Sequence, residues 1–368
     1  MIKGESRYQR QMQLKGFGTA GQQKLANAKV LVVGAGGLGC PVLQYLCAAG
    51  VGTVGIVDHD VVELTNLQRQ VLYTVSDIGQ LKADCAAGRM RQLNPEIEII
   101  AYPLQLSNQN AALIISKFDI VIDGTDNFPA RYMINDACVL LNIPLVYAAL
   151  YENEGQVAIF NIPGKDGRKI NYRDLFPEPP KPGEVLNCAE AGVLGVLPGI
   201  IGAMQAAEAI KLISGVGSPL INKMLIYNAY TNLSYQIELS ADDQAHATLP
   251  ADLDTFMQMD YNWFCGITNT GGKVVELETE EFKERMNSEV YTIIDVREQG
   301  ETPEAKGFNY LRIPLSSIRK QVPDIEKNKI MLFCLSGIRS VIAGEILQEV
   351  YPDKEFYSLK GGILHLLA

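Results

Sequence analysis

The sequence predicts an α/β protein in two parts, a Rossmann-like doubly wound sheet with an antiparallel extension followed by a smaller α/β unit. Three observations predict it. The apolar run Lys29 to Val33 leads straight into Gly34-Ala35-Gly36-Gly37-Leu38-Gly39, a strand-to-helix turn. Apolar runs and helical patterns then alternate as far as Ala149, the order a parallel sheet requires. A second α/β pattern begins at Thr279, beyond a stretch of low regularity. At 368 residues the chain exceeds one average domain and suits two. The boundaries read from the pattern are 1–240 for the first domain, 241–273 for a linker and 274–368 for the second.

In chain order, strand-like runs lie at Val30 to Val33, Thr53 to Val57, Ile97 to Tyr102, Ile120 to Ile122 and Leu145 to Ala149. Helical patterns separate them near 37–49, 80–93, 108–117 and 129–141. Strands near 156–160, 223–228 and 233–239 read as the antiparallel extension, with an apolar helix from Pro198 to Ile213 between them. Residues 161–187 form a long connection containing Phe176-Pro177-Glu178-Pro179-Pro180-Lys181-Pro182-Gly183, and loops of that length in a compact domain are usually functional or mobile. Polar, irregular sequence from Ser240 to Gly272 reads as the linker. The second domain then shows the helix Thr279 to Met286, the strands Tyr291 to Asp295 and Lys329 to Phe333, and the helix Arg339 to Val350.

A hydrophobic content of 47% with 20% charged residues is ordinary for a globular chain. The formal net charge of -10 argues against a nucleic-acid-binding surface. Residues Met1 to Ser6 lack the apolar core of a signal peptide, and the seven cysteines (40, 47, 85, 138, 188, 265 and 334) are odd in number and dispersed, so a cytoplasmic, reducing setting is expected. Ala191 to Ala207 carries no charge, yet it contains Pro198 and Gln205 and runs into Glu208 and Lys211. It is short for a membrane span and reads as a buried helix whose small residues allow close packing.

The glycine turn supplies the first chemistry. Backbone amides and a helix N-terminus can approach phosphates there, and Asp58, about 20 residues on, is placed to hold a ribose hydroxyl. The glycines Gly34, Gly36, Gly37 and Gly39 fit NAD, ATP or a phosphate-free tight turn. Arg69, in Asn66-Leu67-Gln68-Arg69-Gln70, favours a triphosphate tail over a nicotinamide. Asp123-Gly124-Thr125-Asp126-Asn127 follows the strand Ile120 to Ile122, at the carboxyl edge where open α/β sheets bind ligands. A carboxylate there suits Mg²⁺ on phosphates, although Asp126 or Asn127 could equally cap the next helix. Lys82, near a helix start, is placed to reach a phosphate or simply to be solvated.

Together these pieces resemble the ThiF/MoeB family, bacterial relatives of ubiquitin-activating (E1-like) enzymes. The resemblance runs from Arg7-Tyr8-Gln9-Arg10-Gln11 through the glycine turn, Asn66 to Gln70, Gly79 to Lys82 and Arg131-Tyr132-Met133-Ile134-Asn135-Asp136-Ala137-Cys138. It continues through Cys188-Ala189-Glu190-Ala191-Gly192-Val193 and Gln205 to Lys211, about residues 5 to 240 in all. It implies an enzyme that uses Mg-ATP to adenylate the C-terminal glycine of a ubiquitin-like sulfur carrier ending in Gly-Gly. It also implies that Asp58 holds the ribose, that Asn66, Arg69, Gln70 and Lys82 serve the nucleotide, that Asp126 holds the metal and that Arg10 is supplied across a homodimer. For Arg10 the alternative is a surface salt bridge on an amphipathic helix. Many relatives carry two Cys-x-x-Cys pairs for structural zinc, whereas the matching stretches here read Asn171-Tyr172-Arg173-Asp174 and Asn262-Trp263-Phe264-Cys265, so no structural zinc is expected. Cys188 lies where the family's mobile cysteine lies; it is either a covalent acyl-transfer thiol or a small buried cysteine before a helix. Cys40, Cys47, Cys85 and Cys138 fall in apolar helical patterns and are expected in the core.

The C-terminal part resembles a rhodanese domain. Ile293 to Glu298 matches its early strand and turn, Cys334-Leu335-Ser336-Gly337-Ile338-Arg339-Ser340 its active loop, and Leu359-Lys360-Gly361-Gly362 its terminal turn. Independently, a cysteine between a strand and a helix N-terminus meets converging amides that favour thiolate and persulfide anions. Four residues separate Cys334 from Arg339, one fewer than in cysteine phosphatases, and the smaller ring suits sulfur. Asp295 and Arg297 are expected to pair and order their turn. The resemblance implies Cys334 and Arg339 as catalytic residues, sulfur delivered as a Cys334 persulfide, a cysteine desulfurase or other persulfide donor, and a thiocarboxylate product in thiamin, molybdopterin or another pathway. The other readings are an NAD-binding redox or persulfide-sensing protein, E1-like activation for conjugation or small-molecule modification, and a docking rather than active rhodanese domain.

Overall fold

The computed structural model describes residues 5–164, 167–180, 192–242, 248–265, 274–320, 322–335 and 337–367. It divides into two compact units, Met1–Pro179 with Asn187–Tyr261, and Pro180–Leu186 with Asn262–Ala368.

The first unit opens with α1 (Glu5–Met12), α2 (Gly18–Asn27), β1 (Lys29–Val33), α3 (Gly39–Ala49), β2 (Thr53–Val57), α4 (Lys82–Leu93) and β3 (Glu98–Tyr102). It continues with α5 (Ala111–Ile115), β4 (Ile120–Asp123), α6 (Phe128–Leu140), β5 (Leu145–Tyr151), β6 (Glu154–Phe160), α7 (Tyr172–Leu175), α8 (Val196–Ser214), β7 (Lys223–Asn228) and β8 (Ser234–Glu238). These strands make one eight-stranded sheet in the order β3-β2-β1-β4-β5-β6-β7-β8. The first five are parallel and the last three add on antiparallel. Val-rich and Ile-rich β1, β2 and β4 are almost wholly buried because helices cover both faces of a doubly wound sheet. The chain leaves β1 toward β2 on one side and takes up β4 on the other, so the strand order reverses at β1, where Val33 pairs with Asp123.

Helix α8 is long and apolar enough to cross a membrane by length and composition, yet Glu208 and Lys211 sit within it and Leu197, Ile201, Gln205, Ala206 and Ala209 are buried in this unit. Its packing needs glycine. A Cβ on Gly202 would come 2.4 Å from the Leu38 carbonyl oxygen of the neighbouring turn.

Two regions differ from the sequence reading. The helix expected over 108–117 is confined to α5, because Asn110 turns its side chain back onto the Ser107 amide (2.9 Å) and the Gln105 carbonyl (2.9 Å). The stretch read as a linker contains α9 (Leu253–Gln258), N-capped by Asp252, and α10 (Tyr261–Phe264), and the first unit extends to Tyr261. Asn108 Nδ2 donates to the carbonyls of Met257 (2.7 Å) and Met259 (2.9 Å), which anchors this segment.

A buried ion pair ties the same region to α6. Arg173 donates to both oxygens of Asp136 at 2.8 and 2.7 Å, Tyr261 Oη donates to Asp136 Oδ2 at 2.8 Å, and Arg173 Nη1 donates to Thr248 Oγ1 at 3.1 Å. Both charged side chains are fully buried. A pair of this kind need not exceed an apolar substitute in stability, but losing one member strands the other charge.

The second unit is a five-stranded parallel sheet ordered β11-β10-β12-β13-β9. Its elements are β9 (Val274–Leu277), α11 (Thr279–Arg285), β10 (Tyr291–Asp295), β11 (Leu311–Arg312), α12 (Leu315–Lys320), β12 (Lys329–Phe333), α13 (Ile338–Val350), β13 (Glu355–Leu359) and α14 (Gly362–Leu367). Central β12 alternates its side chains between two cores: Ile330 and Leu332 face Ala343 and Leu347, while Met331 and Phe333 face Phe282 and Ile363.

Asp136→Ala is expected to lower the unfolding free energy of the full chain by about 3–5 kcal/mol in urea titration. A loss below about 1 kcal/mol would show that the pair does not hold this region.

Candidate active sites

The first site forms where β1 and β4 end side by side. Gly34 has φ +93°, and a Cβ there would lie 2.6 Å from the Gly124 carbonyl oxygen. A Cβ on Gly39 would lie 1.9 Å from the Gly34 carbonyl oxygen. Only glycine allows the turn to fold this tightly, which brings the N-terminus of α3 over the strand ends. At Gly36 and Gly37 the nearest neighbours are the side chains of Gln70, and of Pro198 and Arg69. The turn that α3 springs from is therefore bordered by the Asn66 to Gln70 segment.

Asp58, just beyond β2, accepts from the Ala35 amide at 2.8 Å through Oδ2 and from the Asp60 amide at 2.9 Å through Oδ1. Burial raises its carboxyl pKa, opposed by those amides and by Lys82. Tyr73 Oη donates to the Ala35 carbonyl at 2.8 Å, so Ala35 is held on both sides of its peptide. Lys82 is buried at the start of α4 and pairs with Asp60 at 2.9 Å; the solvated alternative is excluded. Asn66 is buried, with Oδ1 accepting from the Glu63 amide at 3.2 Å. Arg69 is half-buried and donates to the Thr65 carbonyl at 3.1 Å. Gln70 is buried, and its Oε1 has no hydrogen-bond partner. The ligand atoms of Asp58, His59 and Asp60 lie together, but the amide bonds and the Lys82 pair already engage the two carboxylates.

At the end of β4, Asn127 caps α6 by accepting from the Ala130 amide at 3.0 Å. Asp126 is exposed and, among the described residues, makes no hydrogen bond or ion pair, so the helix cap does not use it. The turn that presents it is built on Asp123, which is fully buried and accepts from Thr125 N (2.9 Å) and Thr125 Oγ1 (2.6 Å) through Oδ1. Asp123 Oδ2 stands 3.6 Å from Arg131 Nε without a hydrogen bond. Burial raises the Asp123 pKa, and the Arg131 charge opposes that rise. Arg131 itself lies among the rings of Phe128, Tyr147 and Tyr172, 5.3 to 5.9 Å from their centroids. Gln205 of α8 closes the back by donating to the Asp123 carbonyl at 2.8 Å. Roles for Asp123 and Gln205 were missed from sequence, although both stand inside motifs; the only signal was a polar residue in an apolar run.

Arg10 lies on the exposed side of α1, whose other side is anchored by buried Tyr8 accepting from Asn94 Nδ2 at 2.8 Å. Among the described residues Arg10 forms no ion pair, so the surface salt bridge is not found. Cys188 falls outside the described residues. Cys40, Cys47 and Cys138 are buried, and burial pushes the Cys40 and Cys47 thiols up to about 12, which makes them inert. Cys85 packs against the edge of the same core and is half-buried, less deeply than expected.

The second site is in the second unit. Cys334 follows β12 and is buried, with its Sγ accepting from the Gly337 amide at 3.1 Å and, more distantly, from Ser340 Oγ at 3.6 Å. Gly337 has φ +94°, and a Cβ there would lie 2.9 Å from the Gly361 amide nitrogen, so the loop and the terminal Gly361-Gly362 turn interlock. The Ile363 amide donates to the Cys334 carbonyl at 2.8 Å. Arg339, the second residue of α13, is nearly buried and forms a two-pronged ion pair with Glu301 at 2.7 and 2.8 Å. Asp295 and Arg297 form the expected pair at 2.9 and 2.8 Å, fully buried, with Arg312 also on Asp295. Glu301 was missed, because its partner is 38 residues away and no spacing rule joins them.

Both arrangements suit anions: a glycine turn at a sheet edge, and a thiol at a helix start. The comparisons agree. The sulfur carrier protein adenylyltransferase of Thermus thermophilus is 49% identical over 263 residues, 71% of this chain and 96% of that protein. The probable adenylyltransferase/sulfurtransferase MoeZ of Mycobacterium tuberculosis is 39% identical across 98% of this chain and 92% of its own length. The adenylyltransferase and sulfurtransferase MOCS3 of Drosophila virilis is 37% identical across 97% of this chain and 82% of its own. Among solved structures, Escherichia coli MccB has the same fold over 66% of this chain and 73% of its own, with a TM-score of 0.57 at 24% identity. A profile described as the ThiF family matches residues 8–247, and the chain belongs to that family.

Proposed function

We propose that this protein activates the C-terminal glycine of a ubiquitin-like sulfur carrier as an acyl-adenylate and then supplies sulfur from its own rhodanese-like unit. The observation that carries the reading is the occurrence, in one chain related along nearly its whole length to adenylyltransferase/sulfurtransferases, of a glycine cradle at the β1/β4 switch point and a Cys334 loop.

A carboxylate attacking an α-phosphate meets anionic repulsion, so catalysis here is positioning and charge neutralisation. The amides after Gly34 and the N-terminus of α3 receive ATP phosphates, on a turn whose tight fold requires glycine at Gly34 and Gly39. Asp58 holds the ribose, and Asn66, Arg69, Gln70 and Lys82 bind the nucleotide. The orphaned buried Oε1 of Gln70 supports that assignment, since such atoms usually have a partner. The open carboxylate of Asp126 fits Mg²⁺, a hard cation that would draw charge from the phosphates. Arg10, outward on α1, is assigned to the partner's site in a homodimer.

In sulfur transfer, the outer sulfur of a Cys334 persulfide attacks the acyl-adenylate carbonyl and AMP leaves. Attack by a second thiolate, for which Cys188 is the candidate, breaks the S–S bond, releases the thiocarboxylate and leaves that thiol in a disulfide with Cys334, which a thiol reductant must reopen before the next turnover. Joining both sites in one chain raises the local persulfide concentration to about millimolar. A cytoplasmic location and a cysteine desulfurase as donor complete the proposal.

Arg69→Ala and Asp126→Ala are each expected to lower carrier-dependent ATP-pyrophosphate exchange about 10²–10³-fold, with circular dichroism unchanged. Mixing Arg10→Ala with Arg69→Ala protomers is expected to restore part of that exchange, because each heterodimer holds one complete site. Normal exchange in both Arg69→Ala and Asp126→Ala would remove the ATP assignment, and no recovery in proven heterodimers would place Arg10 in its own subunit or outside the reaction.

The stretch containing Arg173 holds the ion pair with Asp136, and with only one of the family's four cysteines retained the chain is read as binding no structural zinc. Elemental analysis of purified protein is expected to show no stoichiometric zinc; one tightly held zinc per chain would contradict this.

A further inference from the structure

The Cys334 loop carries one guanidinium, that of Arg339, and a carboxylate compensates its charge. Glu301 Oε1 accepts from Arg339 Nη1 at 2.7 Å and Oε2 from Nη2 at 2.8 Å, while the Glu298 amide donates to Oε1 at 2.7 Å. The side chains are 6% and 24% exposed, so solvent screens the pair weakly. Burial raises the Glu301 pKa, but Arg339, the Glu298 amide and Arg297 outweigh it and hold the carboxyl below its usual range. Nearby, Arg297 pairs with Asp295, and Arg312 lies between Asp295 and Glu304, 3.9 Å from the latter.

Among the described residues, what meets an anion at Cys334 is the Gly337 amide, the Ser340 hydroxyl and the start of α13. A helix N-terminus is worth about half an elementary charge. That suits a single diffuse sulfur anion and falls well short of a dianion with a compact sulfonate end.

We infer that Glu301 sets the charge class of the sulfur donor, so that Cys334 draws sulfur from a persulfide of low charge and disfavours dianionic donors such as thiosulfate. The inference rests on the reading of Cys334 as the persulfide carrier. With a persulfide, the Cys334 thiolate attacks the outer sulfur of R–S–SH; the S–S bond breaks, R–S⁻ leaves with the electron pair and the proton stays on the new Cys334–S–SH. With thiosulfate, the same attack on the outer sulfur expels sulfite, and the two anions must first be brought together. Neither step needs an oxidant or reductant.

The test is the rate of persulfide formation on the full-length protein, by mass spectrometry, with free cysteine persulfide or with thiosulfate. In the unmodified protein, kcat/KM with cysteine persulfide is expected to exceed that with thiosulfate at least about tenfold. Glu301→Gln, which frees the Arg339 charge, is expected to raise the thiosulfate value about tenfold or more and to leave the cysteine persulfide value within about threefold. Glu301→Gln/Arg339→Gln, which removes both charges, is expected to bring thiosulfate use back down. A folded Glu301→Gln protein with an unchanged donor ratio overturns the inference. So does a preference of the unmodified protein for thiosulfate, which decides the matter even if the variant fails to fold. Failure of the unmodified protein to form a persulfide with either donor contradicts instead the underlying reading of Cys334.

Discussion

The contact between Gly34, Gly39 and Gly124 is the constraint on which the first site rests. With Cβ atoms excluded at 2.6 and 1.9 Å from backbone oxygens, three segments meet with nothing but main chain between them. That meeting turns α3 so that its N-terminus lies at the strand ends, and it sets β4 beside β1 in the register that places Asp123 next to Val33. The Asp58 and Asp123 contacts hang from this junction, while Lys82, Asn66 and Arg69 are held by contacts within residues 60–82. Asp58 reaches the Ala35 amide only because the turn presents it, and Thr125 is fixed on Asp123 one residue short of Asp126. A larger residue at Gly39 would disturb the α3 entry, the Asp58 contact and the β4 exit together.

Both units bury ion pairs, and the first also buries polar atoms that make no hydrogen bond. In the first, Asp123 Oδ2 makes no hydrogen bond, 3.6 Å from Arg131 Nε, and the side-chain oxygens of Gln70 and Gln205 are likewise without one. Leaving buried polar atoms unpaired costs about 1–3 kcal/mol each. In the second unit Arg297 pairs with Asp295 and Arg339 with Glu301, as Arg173 pairs with Asp136 in the first. The sulfur of Cys334 then meets amide and hydroxyl dipoles in place of a fixed cation.

Much of this was legible in the sequence, for local reasons. Strands such as Val30 to Val33 and Ile120 to Ile122 are runs of β-branched residues next to glycine or aspartate turns, and the expected cores of β1, β2 and β4 coincide with the observed ones. The glycine turn was readable because its constraint is steric and falls on consecutive residues. Interactions between distant residues were not. Arg173 lies 37 residues from Asp136, and Asp136 lies 125 from Tyr261, so nothing in a local window showed that the supposed linker is tied back at its Tyr261 end. Helix α9 has only six residues, too few to reveal a period. Roles for Asp123, Gln205 and Glu301 depend on burial and distance, which spacing does not encode.

The central claim is that one chain both activates and sulfurates a carrier. It is tested most directly by the intact mass of a carrier ending in Gly-Gly after incubation with the protein, Mg-ATP and a persulfide donor. The account predicts a carrier heavier by the difference between sulfur and oxygen, and with Cys334→Ala a carrier that reaches the adenylate and goes no further. A thiocarboxylate formed at the normal rate by Cys334→Ala, or a carrier that is never adenylated, would contradict it.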